Sequence, residues 1–556
     1  MKRHFLSYLI VIGMVLGVCG GVFESVLDGP FGGPPSGRAV AQEQKTGEAS
    51  SPITGAQLAL NADPRAKKEI SLREAIEAAF ANNLNIAIRK MDPESARLGV
   101  TEQDAQFDPL FGAAGSYSEA KTEAQSRYQS STSKNADVSA SISQMLKQGF
   151  NWSAGWTSYR NESASLITPV PIAYLSALTL QFRQPLLRGF GFAPNTTSLE
   201  IAKLDVSNSE EGFRSAVIGT IGNVESAYWD LSAAIFNYQV QLESLKLAND
   251  LLDLNRKKVE VGTLAPIQIT EAEASVASRE QSVIVAEATI RAAEDNLRYI
   301  MNVPPDSPEW NMGLVPVDKA EFEPKPIDRD EMIRIAMANR PEIKQAKAVL
   351  RQRELSWRLA QNGLKPGLDA SGAYTANGNN YKSETRTVDV GGVPTPIDTT
   401  VTVDTLSESA KEVFRDDYWN WQVGLTFSLP IGNRNAKAAE ARARIAWEQQ
   451  KMEIENTQRS LTVEVRSSVL SVETAAKAVT AARANVRLQE KKVEAEQKRY
   501  DNGMSTSFQV LTYQTDLTTA RSQLIAAMSG YQKSLISLEV STGRLLDTLG
   551  IRLASK

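Results

Sequence analysis

Between Asn433 and Asn502 the sequence contains neither glycine nor proline and is rich in Ala, Glu, Lys, Arg and Gln. These are strong helix formers, and nothing in the run interrupts a backbone ladder. At about 1.5 Å per residue a helix of this span is about 100 Å long, far beyond what a compact domain needs. Such a helix must pack side by side with others along its length or remain unsupported. A second run, from about Asn195 to Val261, has the same character while tolerating Gly212, Gly219 and Gly222. Returning helices follow from Pro266 and from Ser507, and Gly262 followed by Pro266 is the expected punctuation between one helix and the next. Length alone, at 556 residues, suggests about three or four ordinary domains. The helical runs argue instead for a few elongated units.

Those units are copies of one another. Ala79-Phe80-Ala81-Asn82 and Ile86 match Ala336-Met337-Ala338-Asn339 and Ile343. The same offset aligns Phe107-Asp108-Pro109, Gly115 and Tyr117 with Leu364-Lys365-Pro366, Gly372 and Tyr374. Further on, Leu180, Phe182 and Pro185 match Leu425, Phe427 and Pro430, and Gly262-x5-Gln268 matches Gly503-x5-Gln509. A period of half the chain is too long for a solenoid, so the sequence reads as a tandem duplication, residues 69–310 and 320–549. Residues 550–556 form a tail.

Each unit runs helix, strands, long helical hairpin. Trp419, Trp421, Val423, Leu425, Phe427 and Leu429 alternate with Asn420, Gln422, Gly424, Thr426 and Ser428. Tyr174, Leu178, Leu180 and Phe182 alternate with polar or small residues in the same way. One apolar and one polar face suit a strand crossing a bilayer with lipid on one side and water on the other. A soluble sandwich strand shares the pattern. Val138, Ala140 and Ile142 alternate with serines, and Trp152, Ala154 and Trp156 alternate with Ser153, Gly155 and Thr157, joined by Lys147-Gln148-Gly149. This extra hairpin is either part of the wall or an external decoration. A few strands cannot close a barrel alone, so the membrane reading requires several copies.

The start of the chain reads as an export leader. Lys2, Arg3 and His4 precede an apolar run from Phe5 to Val18, and Ala39-Val40-Ala41 offers a small-x-small cleavage pattern. Residues 1–41 are the expected signal peptide and 42–68 a flexible segment. An uncleaved anchor is disfavoured because the run is short for a span. Cys19 follows Leu16-Gly17-Val18, close to a lipid-attachment box but with Val18 where a small residue is usual. Cys19 and His4 are the only Cys and His in the chain. Once the leader is removed, Cys and Ser-His nucleophiles, His/Cys zinc sites and disulfides are excluded. No catalytic residue, cofactor or metal is expected. The net charge of -4 makes nucleic acid an unlikely partner.

Taken in order, several short motifs carry a family resemblance over about Ile70 to Leu549. They are Ser71-Leu72-x2-Ala75 with Asn82-Asn83, Gln184-Pro185-Leu186-Leu187-x-Gly189, and Tyr500-x2-Gly503 followed by Gln509-Val510-Leu511. With the duplication, the chain resembles the TolC family of outer-membrane efflux and secretion ducts. The resemblance implies an α+β membrane protein: a homotrimer whose transmembrane strands form one β-barrel, continued by an α-helical barrel of long antiparallel helices. It further implies passive conduction rather than catalysis, in the outer membrane of a Gram-negative-type bacterium and reaching into the periplasm. The partners implied are outer-membrane lipid, a periplasmic adaptor protein and an inner-membrane transporter. The tips that would dock the adaptor are Val261-Gly262-Thr263-Leu264 and Asn502-Gly503-Met504-Ser505. The family's tunnel narrows there through a tyrosine-centred network and aspartates. Tyr500 is kept, but the aspartate positions carry Gln268 in the first unit and Gln509 and Thr512 in the second, with Glu271 opposite Thr512 in the alignment. The expectation is an aperture closed mainly by hydrogen bonds of Tyr500, Gln268 and Gln509. A periplasmic or surface coiled-coil scaffold, its strands forming a small cap, is the competing reading.

Overall fold

The computed structural model describes residues 65–123, 130–163, 172–324, 326–382, 387–396 and 405–553. The expected leader, Cys19 and most of the segment 42–68 lie outside the described residues. The part of that segment that is described is already structured, because strand β1 starts at Lys67 (Lys67–Ile70). It is followed by α1 (Leu72–Asn82) and α2 (Leu84–Ala105). Next come β2 (Leu110–Lys121), β3 (Thr132–Met145), β4 (Asn151–Ser163) and β5 (Ile172–Pro185), then the hairpin of α3 (Phe192–Glu260) and α4 (Ile267–Met301). The second series starts with β6 (Gly313–Pro316), α5 (Arg329–Asn339), α6 (Pro341–Gly363) and β7 (Gly367–Lys382). A small hairpin, β8 (Thr387–Val390) and β9 (Val393–Pro396), precedes α7 (Leu406–Val413) and β10 (Tyr418–Ser428). The long α8 (Arg434–Asp501), α9 (Ser507–Thr542) and a short α10 (Leu545–Thr548) complete the order.

Local chemistry sets several boundaries. Ser71 and Glu74 form a reciprocal capping box that starts α1, and the Asn83 side chain accepts from the Asn85 and Ile86 amides to start α2. Asp328 caps α5 in the same manner. Equivalent positions of the two series do equivalent work, since Ala79 and Ala336 are both fully buried and so, nearly, are Ile86 and Ile343.

The helices stand side by side as one wall. Beside the strands the lateral order is α2, α3, α6, α8, and toward the hairpin tips it is α4, α3, α9, α8. Midway, Val217, Ile221, Val224, Tyr228 and Leu231 of α3 pack against Ala75, Leu297 and Leu545 to form the main core. The short β1 and β6 pair in parallel beside it. Gly222 lets α9 approach: a Cβ there would stand 2.9 Å from a Val540 methyl. The C-terminal tail is used too, with Ile551 and Leu553 packed on this core. None of the described helices is long and apolar enough to cross a membrane.

The strands form one six-stranded antiparallel sheet in the order β10-β7-β5-β4-β3-β2. The segment around Val138 to Tyr159 therefore lies within the sheet, between β2 and β5. Register gives one face an apolar band across all six strands: Phe111, Ile142, Ala154, Leu180, Tyr374 and Trp421 stand in one row, each opposite the next. The reverse face carries Gly112, Ser141, Gly155, Thr179, Thr375 and Asn420 in the matching row. At the end of the sheet away from the long helices, α7 lies on the apolar face, where Ser158, Ser176 and Ser409 form a chain of buried hydroxyls. Gly378 makes this docking feasible, because a Cβ there would overlap the Ser409 carbonyl.

Burial also creates a pH-sensitive point in the core. Glu225 of α3 is 5% exposed. Burial, and secondarily the nearby Glu539, pushes its carboxyl up from 4.5 to about 7. The folded state therefore holds the proton more tightly than the unfolded chain, so stability is full below pH 4.5 and falls as pH rises through about 7. Glu225→Gln should match the wild type near pH 4 and exceed it by about 3 kcal/mol above pH 8. Denaturant midpoints measured across that range check it; parallel curves would show that the carboxyl is not strained by burial.

Candidate functional site at the helical tips

Both long hairpins end in the same turn, and the sequence dictates it. Gly262 and Gly503 follow the last helical residues with φ of 75° and 73°, a region that costs glycine nothing. The Thr263 amide reaches back to the Lys258 carbonyl at 2.8 Å, and the Met504 amide to the Arg499 carbonyl at 2.8 Å. Each bond satisfies a carbonyl that the helix end leaves free. The turns hold Val261 and Met504 out in solvent, with Ile267 and Phe508 beside them.

Just behind the tips the two hairpins are tied together. Tyr500 is 2% exposed and packs with Leu251, Val510 and Leu511. Its hydroxyl donates to Asn255 Oδ1 at 2.5 Å. Asn255 Nδ2 donates in turn to the Gln268 backbone carbonyl at 3.3 Å, and Ser507 donates to Gln268 Oε1. Lys258 Nζ sits 3.9 Å above the Tyr500 ring and donates to the Tyr500 carbonyl at 3.3 Å. Burial, with the charge of Asp501 adding to it, pushes the Tyr500 phenol above its ordinary value and keeps it a donor.

The expected aperture residues thus divide. Within the chain Tyr500 and Gln268 join one network that crosses its two hairpins. Gln509 is half-buried and its side chain is outside that network; its backbone N–H donates to the Thr506 hydroxyl, which caps α9. The Thr512 hydroxyl is spent on the Phe508 carbonyl at 2.8 Å. Glu271 is exposed. Sequence reasoning missed Asn255, Lys258 and Ser507. Asn255 could have been found as the fully buried-facing amide among Leu251, Leu252 and Leu254, which one strongly apolar face would not otherwise hold. Above the network, a groove of about 580 Å³ runs along α9 between α3 and α8, floored by Leu247, Leu251, Val493 and Leu517 and rimmed by Glu243, Asp250, Glu490 and Glu494.

These features define a class: a chain whose strands and long helices form one continuous wall, open at both lateral edges and pinned at its helical tips. The family model of outer membrane efflux proteins matches residues 172–303 and 332–544. The chain belongs to this family, in agreement with the TolC-type resemblance of its motifs. No curated protein matches it significantly. Among solved structures it is similar to CusC, which forms a transmembrane channel (15% identity, 85% of this chain and 92% of that chain, TM-score 0.60). It is likewise similar to the Campylobacter jejuni CmeC outer membrane channel (16%, 92% and 94%, TM-score 0.58). The open state of the Neisseria gonorrhoeae MtrE outer membrane channel is a further match (16%, 85% and 88%, TM-score 0.57). At these identities the likeness is one of fold.

Proposed function

We propose that three copies of the chain close edge to edge into an outer-membrane channel that passively conducts solutes delivered by an adaptor and an inner-membrane transporter, in efflux or type I secretion. The observation that carries this reading is the pair of open edges. One is formed by β2 with α2, the other by β10 with α8, and they lie at opposite ends of the same wall. β2 and β10 are exposed almost throughout. Leu84, Ile88, Met91 and Leu98 form an exposed stripe on α2, and Ile445, Met452, Val463 and Leu470 form another on α8. Each stripe lies about half a turn from the buried side of its own helix, at spacings near whole turns, so both face outward along the wall. Unpaired strand edges and uncovered apolar stripes both demand a neighbour. The exposed turns Val261–Leu264 and Asn502–Ser505 are the proposed adaptor docks. Gln509, Thr512 and Glu271 are the side chains left to face the tunnel axis.

Mass measurement in mild detergent should give a trimer, and planar-bilayer recording should give a channel. A stable, non-conducting monomer would overturn the reading. The tip network acts in it as the latch that holds the two hairpins together. Tyr500→Phe leaves Asn255 Oδ1 buried without its donor, a loss of about 1–3 kcal/mol. The time spent conducting should rise about tenfold. Unchanged gating would remove Tyr500 from the latch.

A further inference from the structure

Resting on that channel reading, we infer that the β3–β4 hairpin is a transbilayer part of the wall, so that three copies enclose about eighteen strands and a wide, weakly selective exit. Three observations carry this. First, β5 uses both of its edges, pairing with β4 on one side and β7 on the other, and β2 pairs with β3 alone. The hairpin cannot be lifted out as a decoration without detaching β2. Second, β3 and β4 carry the apolar band at the same height as the other strands. Ala140 and Trp156 share a row with Leu178, Ala376 and Trp419, so a tryptophan marks that level both at the β10 edge and within the inserted hairpin. Third, the band ends together across the insert: beyond it on the apolar face, Lys134 lies 3.8 Å from Glu119 and 4.0 Å from Glu162, a charged row at headgroup level.

The consequence is a matter of size. Barrel diameter grows roughly linearly with strand number, and barrels of about 16–18 strands leave an aqueous channel. Six strands per copy in place of the four that remain without the hairpin widen the barrel about 1.5-fold. The face that would line it is mild. From the row of Ser143, Ser153, Gln181 and Gln422 to the row of Ser139, Thr157 and Asn377 it bears no charged side chain. Below, Arg183 is neutralised by Asp369 at 2.7 Å. One row above that of Ser139, the exposed Asp137 stands on the same face and accepts from the Ser116 hydroxyl. Three copies thus place a single ring of three carboxylates at the outer mouth and none along the band; one sparse ring across so wide a lumen discriminates ions weakly. The exit therefore suits bulky hydrophilic cargo.

Removing residues 122–163 takes out β3 and β4 and leaves β2 and β5 antiparallel and in phase to pair. The largest polyethylene glycol that enters the channel from the outer side should then fall in radius by about a third. Equal cut-offs in two conducting trimers would overturn the hairpin inference alone, whereas a wild type that forms no channel would overturn the channel reading. A second measurement does not depend on the deletion folding. Cys19 is the chain's only cysteine, so in a Cys19→Ser background Ser141→Cys and Ala140→Cys can be labelled singly in the full protein. A water-soluble maleimide should modify Ser141→Cys and spare Ala140→Cys, while a bilayer-soluble one does the reverse. Water-soluble labelling of both would place the hairpin outside the wall.

Discussion

Replacing Met452 and Leu470 together by aspartate should leave a folded protomer that no longer assembles. Both side chains are mostly exposed in the isolated chain, so the protomer loses little contact when they are removed. They stand on the side of α8 opposite Leu461, Val465, Val469 and Val472, the residues that hold α8 to its own neighbours. Any cost must therefore arise where a second copy covers them. Burying one such side chain contributes about 1.5–3 kcal/mol, and an unpaired carboxylate in an apolar seam costs several kcal/mol more. Threefold repetition places the change in every seam, so the expected outcome is complete loss of the trimer. Mass measurement in mild detergent should show only monomer, with circular dichroism still strongly helical. Glu453→Ala, a quarter turn away on the same helix, should leave the trimer intact. A double variant that stays trimeric would show that the α8 stripe is not a seam.

What the sequence revealed and what it withheld divide along the range of the interactions. The run without glycine or proline from Asn433 to Asn502 becomes a helix from Arg434 to Asp501, because propensity and the absence of breakers act residue by residue. Trp419 to Phe427 alternates in β10 as the two-residue period requires. Gly262 and Gly503 sit in the left-handed region because their turns need it. The tip network was not legible, because the bond from Tyr500 to Asn255 joins residues in different hairpins, and nothing local ties one to the other. Aligning the two units places Val259 opposite Tyr500 and Glu496 opposite Asn255, so the repeat itself conceals the partnership. The contact of Ser507 with Gln268, a residue expected at the aperture, was hidden for the same reason, since it too joins the two hairpins. The segment Leu406–Val413, short and mostly polar in sequence, gave no sign that Gly378 would let it lie on the sheet. β1 and β6, at four residues each, are too short for any period to show.

The largest effect on the protomer itself should come from Glu294→Ala, through the charge that it leaves behind. Glu294 is 2% exposed and holds three things at once. Its Oε1 accepts the Leu314 amide at 3.0 Å, fixing β6. Its Oε2 lies 2.8 Å from Arg65, fixing the start of β1, and 3.6 Å from Arg298. Arg298 is equally buried; its remaining anionic partner is Asp295 at 2.8 Å, whose side chain is 68% exposed. Its Nε has no partner among the described residues. Truncating Glu294 therefore leaves the buried guanidinium with only the solvent-facing Asp295 and the Met312 carbonyl and strands an amide at β6, and breaking such a buried pair costs about 3–5 kcal/mol. The denaturant midpoint should fall accordingly, and the Leu314 amide should exchange with solvent far faster. Glu294→Gln keeps an acceptor for Leu314 but loses the charge, so it should fall between the two. The decisive comparison is Glu294→Leu combined with Arg298→Met. If the penalty is the uncompensated charge, removing both partners recovers much of the stability that Glu294→Ala loses, although the Leu314 amide stays unpaired. A double variant as unstable as the single one would show instead that anchoring β1 and β6, and not charge compensation, is what Glu294 contributes.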